Sequence, residues 1–559
     1  MENNGSIFTS VKKKRERRSS FNLSHDVKLS LDMGYVVPTL VQECVPGDKF
    51  KINSSSMLRM APLVSPVMHK INVHMEYFFV PNRILWENWE TFITGSKNGK
   101  QLPADQLPAF PVVQPWDETK FINQNGSLSD YLGIPTPESF VGGKGENANV
   151  LGVNALPFAA YQRIWDEYYR DENLVESIYE IPNWYNYNML RDGIVDSTVQ
   201  GRLSTLRPRA WEHDYFTSAL PWAQKGEEVT IPMDLSNDNT LPTVFRPRTD
   251  PDGTSFSTSD PTSFQFSAAP DQHLQTPLAG GGTDSMNIDV SEQMTNAATI
   301  NDLRAAIKLQ EWLETNARGG SRYFESIYAH FGVQSPDSRL QRPEFIGSHR
   351  SNMIISEVLQ TSSPQGENDT PQGNMSGHGS NVSQSRNYSY YCQEHGYIIG
   401  MISVLPKTAY FQGVEKHWLK YNDRLDYYFP EFAHLGEQEI SNMEIWFNTS
   451  PVNDYDPFGT FGYTPRYAEY KFKNSRVAGD FRDTLKYWHL GRDFETPAFL
   501  NDSFITADPS KRIFAVQDLP RDNNTDPNNP IRDYHSIYAH VFHDIKATRL
   551  MPKYGTPTL

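Results

Sequence analysis

Residues 67–80 read VMHKINVHMEYFFV, a two-residue alternation that only a pleated strand can satisfy. Val67, Ile71, Val73, Met75, Tyr77 and Phe79 share one side, while Lys70, Asn72, His74 and Glu76 share the other. The pattern predicts a half-buried antiparallel strand that Pro81 ends. A second alternation runs through Ser536–Ile545, with Ile537, Ala539, Val541 and Ile545 opposite Tyr538, His540 and Phe542. Shorter apolar runs at Met353–Leu359, Tyr397–Leu405 and Arg512–Val516 also read as strands. The chain is therefore expected to be mainly β, a sandwich or jelly roll.

Helical periods interrupt this pattern. Asn82–Gly95 places Leu85, Trp86, Trp89, Phe92 and Ile93 on one face, with Asn82 as N-cap and Gly95 as the left-handed C-terminal residue. Pro157–Arg170 carries a stripe of Phe158, Tyr161, Ile164, Trp165 and Tyr168. Ile300–Arg318 repeats apolar residues at three- and four-residue spacing, with Thr299 and Asp302 resembling a capping box. A shorter helix is expected at Arg322–Phe331, so residues 299–331 form a helical insertion. Two polar stretches, Asp234–Asp289 and Thr361–Ser389, read as long loops. A length of 559 residues suggests three or four domains, or one large fold with insertions.

Charge divides the chain unevenly. Lys12, Lys13, Lys14, Arg15, Arg17 and Arg18 face only Glu2 and Glu16 within residues 1–25, so this segment is +4 in a chain of −16 and the remainder carries −20. Such a block reads either as a solvated arm or as a phosphate-binding one. The longest mainly apolar stretch, Tyr397–Leu405, is far too short to span a bilayer. The basic run precedes no apolar segment, so no secretory signal is expected. Cys44 and Cys392 sit in unrelated contexts, which argues against a disulfide framework and for a reducing cytoplasm.

Residues that could carry chemistry form no set. Nucleophile-elbow, zinc-helix and dinucleotide motifs do not occur, and no enzyme, cofactor or metal site is expected. Gly142-Gly143-Lys144-Gly145 lacks the strand and helix a phosphate loop needs. Gly377-His378-Gly379 reads as a turn, and His213-Asp214 and His543-Asp544 are isolated pairs. The acids of Asp522–Asp526 lack calcium-loop spacing. Trp184-Tyr185, Tyr427-Tyr428-Phe429 and Trp86 with Trp89 could stack sugars or bases, but core or interface packing accounts for them better.

Several longer segments carry a resemblance. FVPNRILWENWETFITG at Phe79–Gly95, FTSALPWAQKG at Phe216–Gly226 and the nearly continuous run from Leu309 through Arg342 to Phe345 are three of them. TPQGNMSGHG at Thr370–Gly379 and ATRLMPKYGTPTL at Ala547–Leu559 complete the set. Together they resemble the major capsid proteins of the small single-stranded DNA phages, the Microviridae, in particular the gokushovirus-like branch.

That resemblance implies an eight-stranded viral jelly roll of two antiparallel sheets with large insertions. It implies a T=1 icosahedral shell of sixty copies around circular single-stranded DNA, assembled in the host bacterial cytoplasm. It also implies a small basic internal protein and minor or pilot proteins as partners. Residues 26–559 would form one domain behind the arm of residues 1–25. Asp234 to Asp289 would be the protrusion near the three-fold axes, touching a host cell-surface receptor. Lys12–Arg18 would face the genome, and Lys546–Leu559, with Pro552 and Pro557, would be an extended tail on a neighbour. A reading from another class is a carbohydrate-active or carbohydrate-binding β-sandwich, suggested by acidity and aromatic content.

Overall fold

The computed structural model describes residues 17–95, 103, 106–117, 119–140, 151–179, 190–226, 229, 300–320, 322–362, 371–448, 455–515 and 535–554, and the backbone of short strands between 245 and 288. The chain divides into two compact units, Met1–Ala223 with Ala317–Leu559, and Gln224–Asn316. In the second unit, Gln265–Phe266, Leu274–Pro277 and Thr283–Ser285 form one antiparallel sheet, and Phe245–Arg246 pairs with Asn287–Ile288. The stretch read as the loop Asp234–Asp289 thus contains short strands, and the rest of it lies outside the described residues.

Among the described residues the two main sheets of the first unit hold eleven strands: β1 (Ser19–Asn22), β2 (His25–Leu31), β3 (Val37–Cys44), β4 (Lys49–Met60), β5 (Ile71–Pro81), β6 (Glu344–Asn352), β7 (Ile354–Leu359), β8 (Met375–Gln384), β9 (Tyr388–Tyr391), β10 (Gly396–Pro406) and β11 (Ile537–Arg549). One antiparallel sheet runs β1 and β2, then β11, β4, β8 with β9, and β7. The other runs β6–β5–β10–β3. Their inner faces meet in an apolar layer. Leu58, Met60 and Val541 of the first sheet pack with Val73, Met75 and Val404 of the second. Phe50, Ile52 and Ile545 pack with Leu40, Tyr77 and Ile398. The architecture is a mainly β sandwich of antiparallel sheets.

β11 follows its alternation, with Ile537, Ala539, Val541 and Ile545 inward and Tyr538 and Phe542 outward. β5 does not stay half-buried. Ten of its eleven residues are buried, because helices α1 (Trp89–Thr94), α2 (Leu156–Tyr168) and α3 (Ser197–Ser204) belong to a layer over the outer face of its sheet. Phe78, Val80, Ile399 and Met401 pack there against Phe158, Tyr161, Ile164 and Trp165. The polar positions serve the same contact: His74 Nε2 lies 3.2 Å from Glu212 Oε1, and the Tyr169 hydroxyl donates to Glu76. The His74 hydrogen bond, with help from Arg350, pulls the Glu212 carboxyl down to about 2.

Residues 82–95 split into a 3-10 turn at Asn82–Ile84 and the short α1. Asn82 is no N-cap: it is the first residue of that turn, behind Pro81, and α1 starts after Asn88. Trp86 turns into the core and donates to Asp192 Oδ1 at 2.8 Å, which breaks a continuous helix. Gly95 does close α1 in the left-handed region, at φ 79°. Helices α4 (Ile300–Gly319) and α5 (Tyr323–Phe331) follow their periods, although Thr299 lies outside the described residues.

Arg512–Val516 holds a turn and one bridge from Phe514 to Leu63, and Val516 lies outside the described residues. Thr361–Ser389 contains β8 and the start of β9. Its small residues permit close packing: a Cβ on Gly377 would sit 2.4 Å from the Ser65 carbonyl oxygen, and one on Gly379 2.4 Å from Met60 Sδ. Gly377-His378-Gly379 is therefore strand, not turn. The first four residues of the expected tail, Lys546–Arg549, complete β11.

Candidate assembly surface

Between β10 and β11 the chain builds a surface unlike the core. Three 3-10 turns, Lys416–Trp418, Arg424–Asp426 and Pro430–Phe432, and the residues between and just after them carry Trp418, Tyr421, Leu425, Tyr427, Tyr428, Phe429 and Leu435, all exposed. Trp418 and Tyr421 are 68% and 71% exposed, so neither serves the interior. Large aromatics left in water next to one another mark an interaction surface.

A polar frame holds this row. Lys420 Nζ donates to Glu469 Oε1 at 2.6 Å and lies 4.0 Å from the Tyr470 ring centroid. Glu469 Oε2 accepts from Gln438 Nε2 at 2.6 Å, and Gln438 Oε1 accepts from the Tyr467 amide at 2.9 Å. Tyr467 stands at φ 61°, a conformation that costs about 1–3 kcal/mol for a non-glycine residue. Its ring meets Tyr428 at 4.9 Å, near perpendicular. Tyr427-Tyr428-Phe429 stand out in the sequence by adjacency, whereas Trp418, Tyr421 and Leu435 do not. They share no helical or strand period, and only their crowding near Lys416 and Lys420 could have marked them.

The other residues singled out scatter. Arg17 and Arg18 are exposed just before β1, while Lys12, Lys13, Lys14 and Arg15 lie outside the described residues. So do Gly142–Gly145, Trp184-Tyr185 and Asp522–Asp526. Trp86 is core and Trp89 packs half-buried against the same cluster.

The buried ionisable groups are held in structural roles. Asp214 accepts from the amides of Phe216 and Thr217, and from the Tyr410 hydroxyl at 2.7 Å. Cys44 and Cys392, distant in sequence, are free thiols in one apolar cluster; burial first, then the neighbouring thiol, pushes Cys44 far above its ordinary value. Among the described residues no three metal-ligating side chains converge, and no helix is long and apolar enough to cross a membrane.

His543 is fully buried, with Nδ1 2.7 Å from Ser54 Oγ and Nε2 3.1 Å from Thr39 O. Burial, then His25, pushes it down to about 4 from an ordinary 6.5. The unfolded chain therefore binds a proton that the folded one refuses between those values. The contribution of His543 is complete above about pH 6.5 and falls as pH drops toward 4, by on the order of 3 kcal/mol, and His69, which its own burial also pushes down to about 4, loses stability in the same window. Urea midpoints taken from pH 7 to 4.5 check this. His543→Gln is expected to flatten that slope, and an unchanged slope would refute the assignment.

The fold is a β-sandwich that carries exposed aromatics on one connection between its strands. The chain belongs to the phage capsid family described as Capsid protein (F protein), which matches residues 9–559. Similar proteins are Capsid protein VP1 of Chlamydia phage 1, 34% identical over 99% of this chain and 97% of the relative, and Capsid protein VP1 of Bdellovibrio phage phiMH2K, 33% over 98% and 97%. Capsid protein VP1 of Spiroplasma virus 4 is 30% identical over 99% and 97%. These relatives are gokushoviruses of the Microviridae, as the segments above implied. The role is thus that of a structural capsid protein of the virion.

Proposed function

We propose that this chain assembles as sixty copies into a T=1 icosahedral shell enclosing a circular single-stranded DNA genome. The observation carrying this reading is the match of one capsid family to residues 9–559. The strand order supports an eight-stranded jelly roll. With β1 and β2 acting as one strand and β8 and β9 as another, successive strands cross between the sheets except at β5–β6 and β7–β8, each an antiparallel pair within one sheet, which leaves β7 as an added edge strand. The exposed aromatics on 3-10 turns supply anchors for contacts between copies.

In this reading Lys12, Lys13, Lys14, Arg15, Arg17 and Arg18 form an internal arm that neutralises phosphate beside a small basic protein. Asp234 to Asp289 is a protrusion that meets a host cell-surface receptor, minor or pilot proteins complete the particle, and assembly takes place in the host bacterial cytoplasm. One experiment compares particles of three forms: the full chain, a chain lacking residues 2–18, which leaves β1 intact, and a chain with 234–289 replaced by a Gly-Ser linker. Negative-stain images should show shells for all three. DNA retention should become less salt-sensitive without the arm, by a slope of up to about 4 if all six cations engage the strand. Adsorption to host cells should vanish with the linker. A full chain that stays monomeric would overturn the proposal.

A further inference from the structure

β4 reads KFKINSSSMLRM, and its alternate residues send Lys49, Lys51, Met57 and Arg59 to the solvent side of the larger sheet. β11 sends Tyr538, Phe542 and Lys546 to the same side, and β2 sends Lys28. Cross-strand register joins them: Arg59 stands opposite Tyr538, Lys51 opposite Lys546, and Lys28 opposite His540. At one end Tyr391 of β9 stands opposite Lys49, whose Nζ lies 5.8 Å from its ring centroid.

The charge on this face runs against the chain. Five cations meet only two carboxylates there, in a protein of net charge −16. Both acids are engaged, Asp26 with His540 at 2.9 Å and Asp544 with Ser24 Oγ at 3.1 Å. Among the described residues none of Lys28, Lys49, Lys51, Arg59 and Lys546 has an ion-pair partner. Lys51 and Lys546 form a directly opposed like-charge pair, which disfavours the sheet unless an anion lies across it. Tyr391, Tyr538 and Phe542 are each at least 39% exposed on the same surface.

We propose that this sheet face is a platform for single-stranded DNA. Phosphates would lie along Lys49, Lys51 and Lys546 at one end and Arg59 and Lys28 at the other, with bases against Tyr391, Tyr538 and Phe542. Alternating cations and flat rings bind a single strand with little sequence preference, because every base has a face to stack. Outward residues of β4 lie about 7 Å apart and neighbouring strands about 5 Å apart, so the face presents a two-dimensional array instead of a single groove. It is continuous with the basic arm, since Arg17 and Arg18 lead into β1, which pairs with the Lys546 end of β11. The proposal rests on the reading that the shell encloses single-stranded DNA.

The test is photocrosslinking in intact wild-type particles whose genome carries 5-bromodeoxyuridine, with crosslinked peptides mapped by mass spectrometry. Crosslinks at Tyr391, Tyr538 or Phe542 are expected. In parallel, the full chain carrying Lys51→Gln, Arg59→Gln and Lys546→Gln should bind oligothymidylate with a salt slope smaller by about 2. Crosslinks confined to other surfaces, with DNA present and the salt slope unchanged, would overturn the platform and leave the shell reading standing. Particles that contain no single-stranded DNA would overturn both. A face instead covered by another protein would show as protein–protein crosslinks at Lys51 and Lys546, and would also overturn the proposal.

Discussion

Replacing Trp418 and Tyr421 together by alanine is expected to leave the chain folded and to abolish particle formation. Both side chains stand mostly in water, so truncation removes little that the isolated chain uses; such changes usually alter stability by no more than about 0.5 kcal/mol. Between copies the balance reverses. An aromatic anchor buried at the centre of a contact costs about 2 kcal/mol or more when truncated. Two such losses weaken one contact by roughly a thousandfold, and a closed shell repeats that loss at every equivalent contact. Sedimentation velocity should find monomer where the unaltered chain gives particles, with the far-ultraviolet spectrum unchanged. Particles at normal yield would mean that this surface faces solvent in the virion, and that the anchors lie elsewhere.

The sandwich was legible in the sequence wherever one side chain in two had to be apolar. β11 and β10 stand close to where alternation and apolarity put them. What alternation cannot report is whether the second face of a strand is wet. β5 carries Asn72, His74 and Glu76 as a solvent-facing strand would, yet those residues receive Glu212 and Tyr169 from an insertion more than ninety residues away. Composition misled at Thr361–Ser389 for the opposite reason. Serine and glycine there are what a strand needs when backbone lies against backbone, as Gly377 does against Ser65.

The surfaces were legible only as residue types. The basic arm announced itself by adjacency, and Tyr427–Phe429 by crowding, but exposure is a property of the folded chain. The cations of β4 carried a readable sign, a Lys-Phe-Lys-Ile alternation with charge where a buried strand has none. The meeting of Cys44 with Cys392 and of Asp214 with Tyr410 depends on distant segments arriving at one place, and no local pattern encodes it.

Lys420→Met should then damage the aromatic surface without touching an aromatic residue. The Lys420 and Glu469 side chains are only 5% and 10% exposed, and their oxygen and nitrogen lie 2.6 Å apart. Burial works against each charge. The Glu469 hydrogen bond nevertheless holds the ammonium above its ordinary range, and the Lys420 hydrogen bond holds the carboxyl below its own. Removing the lysine strands a buried carboxylate with Gln438 as its remaining side-chain donor, a loss of about 3–5 kcal/mol. Replacing both partners, as Lys420→Met with Glu469→Leu, removes the stranded charge and should recover most of it, so a double-mutant cycle gives a coupling well above that of a surface pair. The consequence extends beyond stability. Gln438 fixes the Tyr467 amide and Tyr467 seats Tyr428, so a loosened frame lets the aromatic row sample many positions, and ordering it again on contact opposes assembly. Hydrogen exchange across residues 416–440 should therefore quicken in Lys420→Met, and particles should need a higher protein concentration. If urea unfolding moves by less than about 0.5 kcal/mol and exchange is unchanged, the pair is incidental and the row is held by its own packing.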